Sequence, residues 1–180
     1  MQPHFMDKFK NYDIVFSGLK NGKHEFRFEI DKAFFQLFDT EQEFTNPEIT
    51  VHVLMERHST FLELWIRIEG TVQLQCDISS QEFDHPVENE ISVLVKFGEE
   101  YDDSDVDVIT IPATDHAVNV AQLIYEDVML SIPMKKVSPN LSEEQLALLD
   151  QYMPAEPDEE EKETEVDPRW AALNKLKDKN

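Results

Sequence analysis

Apolar and polar residues alternate with a period of two from Leu62 to Ile78. The even positions run Leu62, Leu64, Ile66, Ile68, Gly70, Val72, Leu74, Cys76 and Ile78, while Glu63, Arg67, Glu69, Gln73, Gln75 and Asp77 hold most odd ones. That period predicts strand, with one face on a core and the other toward water. Gly70 breaks the apolar series and leaves two forms open. A tight turn at Glu69-Gly70 would give two antiparallel strands, and a bulge at Gly70 one long bent strand. The same alternation marks Lys23–Ile30, Ile49–Met55 and Val87–Phe97, with a short strand from Val108 to Ile111 ending at Pro112. Polar links at Glu56-Arg57-His58-Ser59 and Ser79-Ser80-Gln81-Glu82 are short, so neighbouring strands are expected to pair as an antiparallel meander.

Helical spacing appears in fewer places. Asp31 is placed to cap a short helix reaching Leu37 or Phe38, with Phe34, Leu37 and Phe38 on one face. Asn119 is placed to cap a helix from Val120 to about Ser131, stopped by Pro133. Ser142 and Gln145 form a capping box, with Leu141 and Leu146 as its staple, for a helix running to about Tyr152. Residues 1–22 supply apolar anchors such as Phe9, Tyr12, Ile14 and Phe16 without a clear element. The expected fold class is α+β: an antiparallel, strongly bent or partly barrel-like β-sheet with flanking helices and a disordered acidic C-terminal tail. The expected division is one domain over residues 1–153, an acidic linker over 154–166 and a short basic amphipathic helix over 167–180.

Composition narrows the function classes. Sixteen Lys and Arg against 38 Asp and Glu give a net charge of −22. A surface this acidic repels phosphate, whereas nucleic-acid binding needs a basic footprint. The charge serves solubility or attracts a basic protein partner; both readings stand at this level. Cys76 is the only cysteine, so no internal disulfide exists. No apolar run of signal or membrane-span length follows Met1, and a cytoplasmic protein is expected.

The candidate chemistry is sparse. Residues 99–107 carry Glu99, Glu100, Asp102, Asp103, Asp105 and Asp107, but the glycine and glutamate offsets of a calcium-binding EF-hand loop are missing. A solvated loop is expected there. The six histidines lack metal-ligand spacing, and no nucleophile signature or glycine-rich phosphate loop is present. The expectation is no enzyme, no cofactor and no metal. The terminal segment, by contrast, places Trp170, Leu173 and Leu176 on one side of a basic helix, a docking element for its own domain or for a partner.

Three stretches together resemble the YceD family, the large ribosomal RNA accumulation proteins, over roughly residues 26–136 and the C-terminal tag. The first is the strand through Gly70 into Cys76-Asp77-Ile78-Ser79, where the family commonly has a Cys-x-x-Cys. The second is the helix Val120–Leu130 leading into Ile132-Pro133-Met134-Lys135, similar to the family's Leu-Pro-Met-Lys-type motif. The third is Asp167-Pro168-Arg169-Trp170-Ala171-Ala172-Leu173, similar to the family's terminal Asp-Pro-Arg-Trp-Ala-x-Leu. Ser79 replaces the pair's second cysteine, and Val137-Ser138 follows where many members place another, so no zinc is expected here. The resemblance implies a non-enzymatic factor needed for large-subunit ribosomal RNA to accumulate. Its expected partner is a basic ribosomal protein or a large-subunit assembly intermediate, with no membrane involved. The expected contact residues are Glu126, Asp127, Pro133, Met134, Lys135, Asp167, Pro168, Arg169, Trp170 and Leu173. The alternatives are a direct pre-rRNA-binding module, with the basic tail touching phosphate, and an acidic regulatory protein unrelated to ribosomes.

Overall fold

The computed structural model of the chain describes residues 7–105 and 107–141. The expected capping-box helix, acidic linker and terminal helix lie outside those residues. After a 3-10 turn at Asp7–Tyr12 come β1 (Asp13–Val15), β2 (Gly22–Ile30), α1 (Lys32–Phe35) and β3 (Thr45–Arg57). Next are β4 (Phe61–Gln75), β5 (Glu82–Gly98), β6 (Val108–Pro112), β7 (Ala117–Asn119) and α2 (Ala121–Ser131). The description is mostly β with two helices.

Strands β2-β3-β4-β5-β6 make one five-stranded sheet in that order, and β1 pairs with β7 separately. The first three ladders are antiparallel, as the short links require, but β5 and β6 run parallel from Leu94↔Val108 to Gly98↔Pro112. The sheet is therefore mixed. Among the described strands no ladder joins β2 to β6, so the sheet does not close into a barrel. The loop before β6 folds back on it, because Asp102 and Thr110 exchange two backbone hydrogen bonds of 3.0 and 2.7 Å.

Alternation dictates which face is covered. Ile49, Val51, Val53 and Met55 on β3 meet Leu64, Ile66 and Ile68 on β4, all buried, while Thr50, His52 and Leu54 turn to the other side. The inner face is capped by Phe34 and Phe35 of α1, by Phe9, Ile14 and Phe16 near the N-terminus, and by Ile124 and Val128 of α2. Asp31 caps α1 as its sequence position indicates, its Oδ1 accepting from Ala33 N at 2.8 Å. The helix is shorter than its spacing predicts. Leu37 and Phe38 donate to Phe34 and Phe35, three residues back, so the last turn tightens out of α geometry. There Phe38 stacks on Tyr125 of α2 at a centroid distance of 4.0 Å.

Gly70 is neither a turn nor itself a bulge. β4 runs through it, paired with Ile49 on one side and Val87 on the other. The irregularity is across the ladder: β3 advances from Thr45 to Glu48 while β4 advances only from Gln73 to Thr71, so β3 carries an extra residue. Asn46 takes a left-handed φ of 46° there, and its side chain donates to Gln73 Oε1 at 2.8 Å. The bulge presses β3 against Gly70. A Cβ at residue 70 would lie 2.2 Å from Glu48 O and 2.6 Å from Ile49 Cα.

Both obstacles are backbone atoms, so no side-chain rotation relieves them. Gly70→Ala should lower the unfolding free energy by about 1–3 kcal/mol, the usual cost of overpacking. Urea denaturation measures it, and an unchanged midpoint would show that β3 steps aside freely.

Candidate functional site

Beyond β4 the chain leaves the sheet through Cys76, which is buried. Its N–H donates to Gln81 O and its carbonyl accepts from Ser80 N, both at 2.8 Å, closing a tight loop. Onto this loop the segment after α2 is stitched. Asp77 N donates to Lys136 O at 2.8 Å, Lys136 N donates to Asp77 Oδ2 at 2.7 Å, and Lys136 Nζ pairs with Glu43. Ser138 N donates to Cys76 Sγ at 3.4 Å. Two stretches far apart in sequence are thus one place in the fold.

Burial by itself would raise the Cys76 thiol. Hydrogen bonds from the Ser79 side chain and from the backbone of Ser138, Ser79 and Ile78 outweigh it and lower the pKa from 9.0 to about 7. A structural zinc site takes four sulfur or nitrogen donors. Here one sulfur faces two hydroxyl-bearing residues, Ser79 and Ser138, and that donor set does not fit structural zinc.

α2 is oriented by its start. Asn119 Oδ1 accepts from Ala121 N at 3.0 Å, while Asn119 Nδ2 donates to Phe9 O at 2.8 Å and Asp13 Oδ1 at 2.6 Å. This turns Ala121, Ile124, Asp127 and Val128 inward, all buried. Gln122, Glu126 and Leu130, one turn apart, face out, with Gln122 Nε2 donating to Glu126. Leu130 is 84% exposed, and Met134 just beyond the helix is 103% exposed. The acidic loop shares this side of the molecule. Partial burial, Asp103 and then Glu126 push the Tyr101 phenol up to about 12, which places Glu126 within electrostatic reach of that loop.

The residues singled out from sequence divide accordingly. Glu126, Met134 and Lys135 are exposed, and Pro133 is half-buried. Asp127 turns the other way, 3% exposed, accepting from Asn89 Nδ2 with its Oδ2 unbonded. Asp167, Pro168, Arg169, Trp170 and Leu173 lie outside the described residues. Leu130 escaped the sequence reading, although its spacing from Glu126 was a usable signal.

The outer sheet face holds a second concavity of about 650 Å³, lined by Lys23, His52, Leu54, Trp65, Arg67 and Glu90 among others. Its cations are already matched. Arg67 pairs with Glu88 at 3.2 Å and Glu69 at 3.7 Å, and Lys23 with Glu56 at 3.9 Å.

A family model described as large ribosomal RNA subunit accumulation protein YceD matches residues 64–177, more than half of the 180-residue chain. The match starts in β4 and includes the loop at Cys76, α2 and the segment stitched beneath it. No curated protein and no solved structure matches the chain.

Burial raises the Asp127 carboxyl above its ordinary 3.8, against the lowering effect of Asn89. With its folded pKa above its unfolded one, the group's stability contribution is full below pH 3.8 and is lost as pH rises through the raised value. Asp127→Asn removes the buried charge. It should gain on the order of 1 kcal/mol at neutral pH and nothing in strong acid. Denaturation across a pH series reads this, and a constant difference at every pH would contradict it.

Proposed function

Because the chain belongs to the YceD family of large ribosomal RNA subunit accumulation proteins, we propose that it acts by protein contact. Its partner is a basic ribosomal protein or a large-subunit assembly intermediate. The observation that carries this reading is the exposure of Leu130 and Met134, with the acidic Glu126 one helical turn before Leu130. Apolar anchors within a charged rim are how protein interfaces are built, and long-range attraction speeds their encounter. Lys135 is exposed beside Met134, which sets the register of a mixed-charge contact. The basic segment Arg169–Leu176 is the second contact, with local reach to ribosomal RNA.

The family is described by RNA accumulation, not by a reaction, and the role proposed here needs no catalytic group. No described helix is long and apolar enough to cross a membrane. The protein works where large subunits are assembled. Direct reading of RNA by the domain finds little support, because the arginines of the outer sheet face are spent on carboxylates.

The test is capture of large-subunit ribosomal proteins by tagged full-length protein. Leu130→Ser with Met134→Ser should reduce recovery about tenfold, as loss of an interface anchor does. Deleting residues 167–180 should reduce it further. RNase treatment should leave it unchanged. Equal recovery by the double variant would overturn the α2 surface as the contact, and collapse after RNase would replace this reading with pre-rRNA binding.

A further inference from the structure

At the turn end of the β3–β4 hairpin, Glu56 and Glu63 are direct cross-strand partners on the outer face of the sheet. Like charges directly opposite one another destabilise a ladder. Lys23 Nζ lies 3.9 Å from Glu56 Oε2 and is largely exposed. The hairpin loop then brings a third donor over the pair. His58 N donates to Phe61 O at 3.0 Å, and the imidazole stacks on the Phe61 ring at 4.3 Å, with 20° between planes. Held this way, His58 Nε2 is shielded from water and has no hydrogen-bond partner. Its nearest carboxylate, Glu63 Oε2, is 3.9 Å away, too far for a hydrogen bond.

A buried nitrogen without a partner and two facing carboxylates share one remedy, a positive charge between them. One donor atom from each of Glu56, His58 and Glu63 already lies within 4.8 Å of the others. Donors around a common ion at about 2.0–2.2 Å stand up to about 4.4 Å apart, so small side-chain rotations close the set. We propose that Glu56, His58 and Glu63 form a divalent-cation site at the tip of the β3–β4 hairpin. One imidazole and two carboxylates, without sulfur, suit a first-row ion such as zinc or manganese, with water in the remaining positions. Such an ion neutralises the cross-strand repulsion and ties both strands to the loop. Histidine spacing could not reveal this site, since two of its three ligands are carboxylates and they meet only through strand register.

The alternative occupant of the gap is a proton on His58, and metal titration separates the two. After chelator treatment, full-length protein is titrated calorimetrically with ZnCl2 and, separately, MnCl2. The expected result is one saturable equivalent of Zn²⁺, weakened more than about tenfold in both Glu63→Gln and His58→Gln, and unchanged in Cys76→Ala. Glu63→Gln preserves side-chain volume at a half-exposed position and removes one of the two facing charges, so its thermal unfolding in chelator should be no lower than the parent's. Absence of a saturable equivalent would overturn the proposal. So would binding that survives both substitutions, or binding that Cys76→Ala abolishes.

Discussion

The carbonyl oxygen of Glu48 lies 2.2 Å from the point where residue 70 would carry a Cβ, so the β3–β4 ladder closes there only around glycine. Much of the molecule depends on that closure. On one side of it β3 and β4 match residue for residue, from Ile49↔Gly70 to Arg57↔Leu62; on the other the register resumes at Thr45↔Gln73. An uninterrupted β4 keeps Val72 and Leu74 on the buried face and delivers Cys76 to the segment around Ser138. Had Gly70 made a hairpin turn, the second half of the run would fold back along the first. The loop at Cys76 would then sit at the opposite end of the sheet, away from the partners it has here. The extra residue in β3 and the missing side chain in β4 are two halves of one device.

Period-two alternation placed β2, β3, β4 and β5, because a strand with one face on a core must write that face into every second position. It understated the lengths of β2, β3 and β5, whereas β4 ends at Gln75, short of the alternation's end at Ile78. β5 starts at Glu82, and its first residues carry Asp84, His85 and Pro86, whose polarity says nothing about backbone pairing. β1 and β7 were illegible for a different reason. Three residues are too few to show a period, and their pairing is settled by where Asn119 anchors the start of α2. The parallel β5–β6 ladder was equally hidden, since Val108–Pro112 reads the same in either direction. The conspicuous apolar stripe of α2 was visible. Asp127 lies within it, three residues after Ile124 and next to Val128, yet its acidity suggested a surface role that burial denies it.

Charge is distributed by face. On the outer face of the sheet, arginines and carboxylates alternate across strands and largely satisfy one another, with the Leu54–Trp65 pair between them. Six acids with no cation among them fall in residues 99–107, and Glu126 lies within electrostatic reach of Tyr101 there. Burial first, then Asp103 and Glu126, push the Tyr101 phenol there up to about 12. A net charge of −22 could have been spread evenly for solubility alone. Acids instead cluster along the chain, in residues 99–107 and again in 154–166, as the proposed encounter of the Leu130–Met134 surface with a basic partner would use.

The way that surface is held suits such an encounter. None of residues 131–141 is fully buried. Their position rests on hydrogen bonds: the pair between Asp77 and Lys136, the bond from Ser138 to the Cys76 sulfur, and Ser131 Oγ donating to Asp127 O at 2.8 Å. α2 itself has a buried carboxylate with one oxygen unbonded where an apolar residue would pack more firmly. A segment fixed by a few polar bonds opens at lower free energy than one fixed by core packing. Met134 therefore sits on a segment held largely by polar bonds, next to an α2 whose inner face is packed into the core.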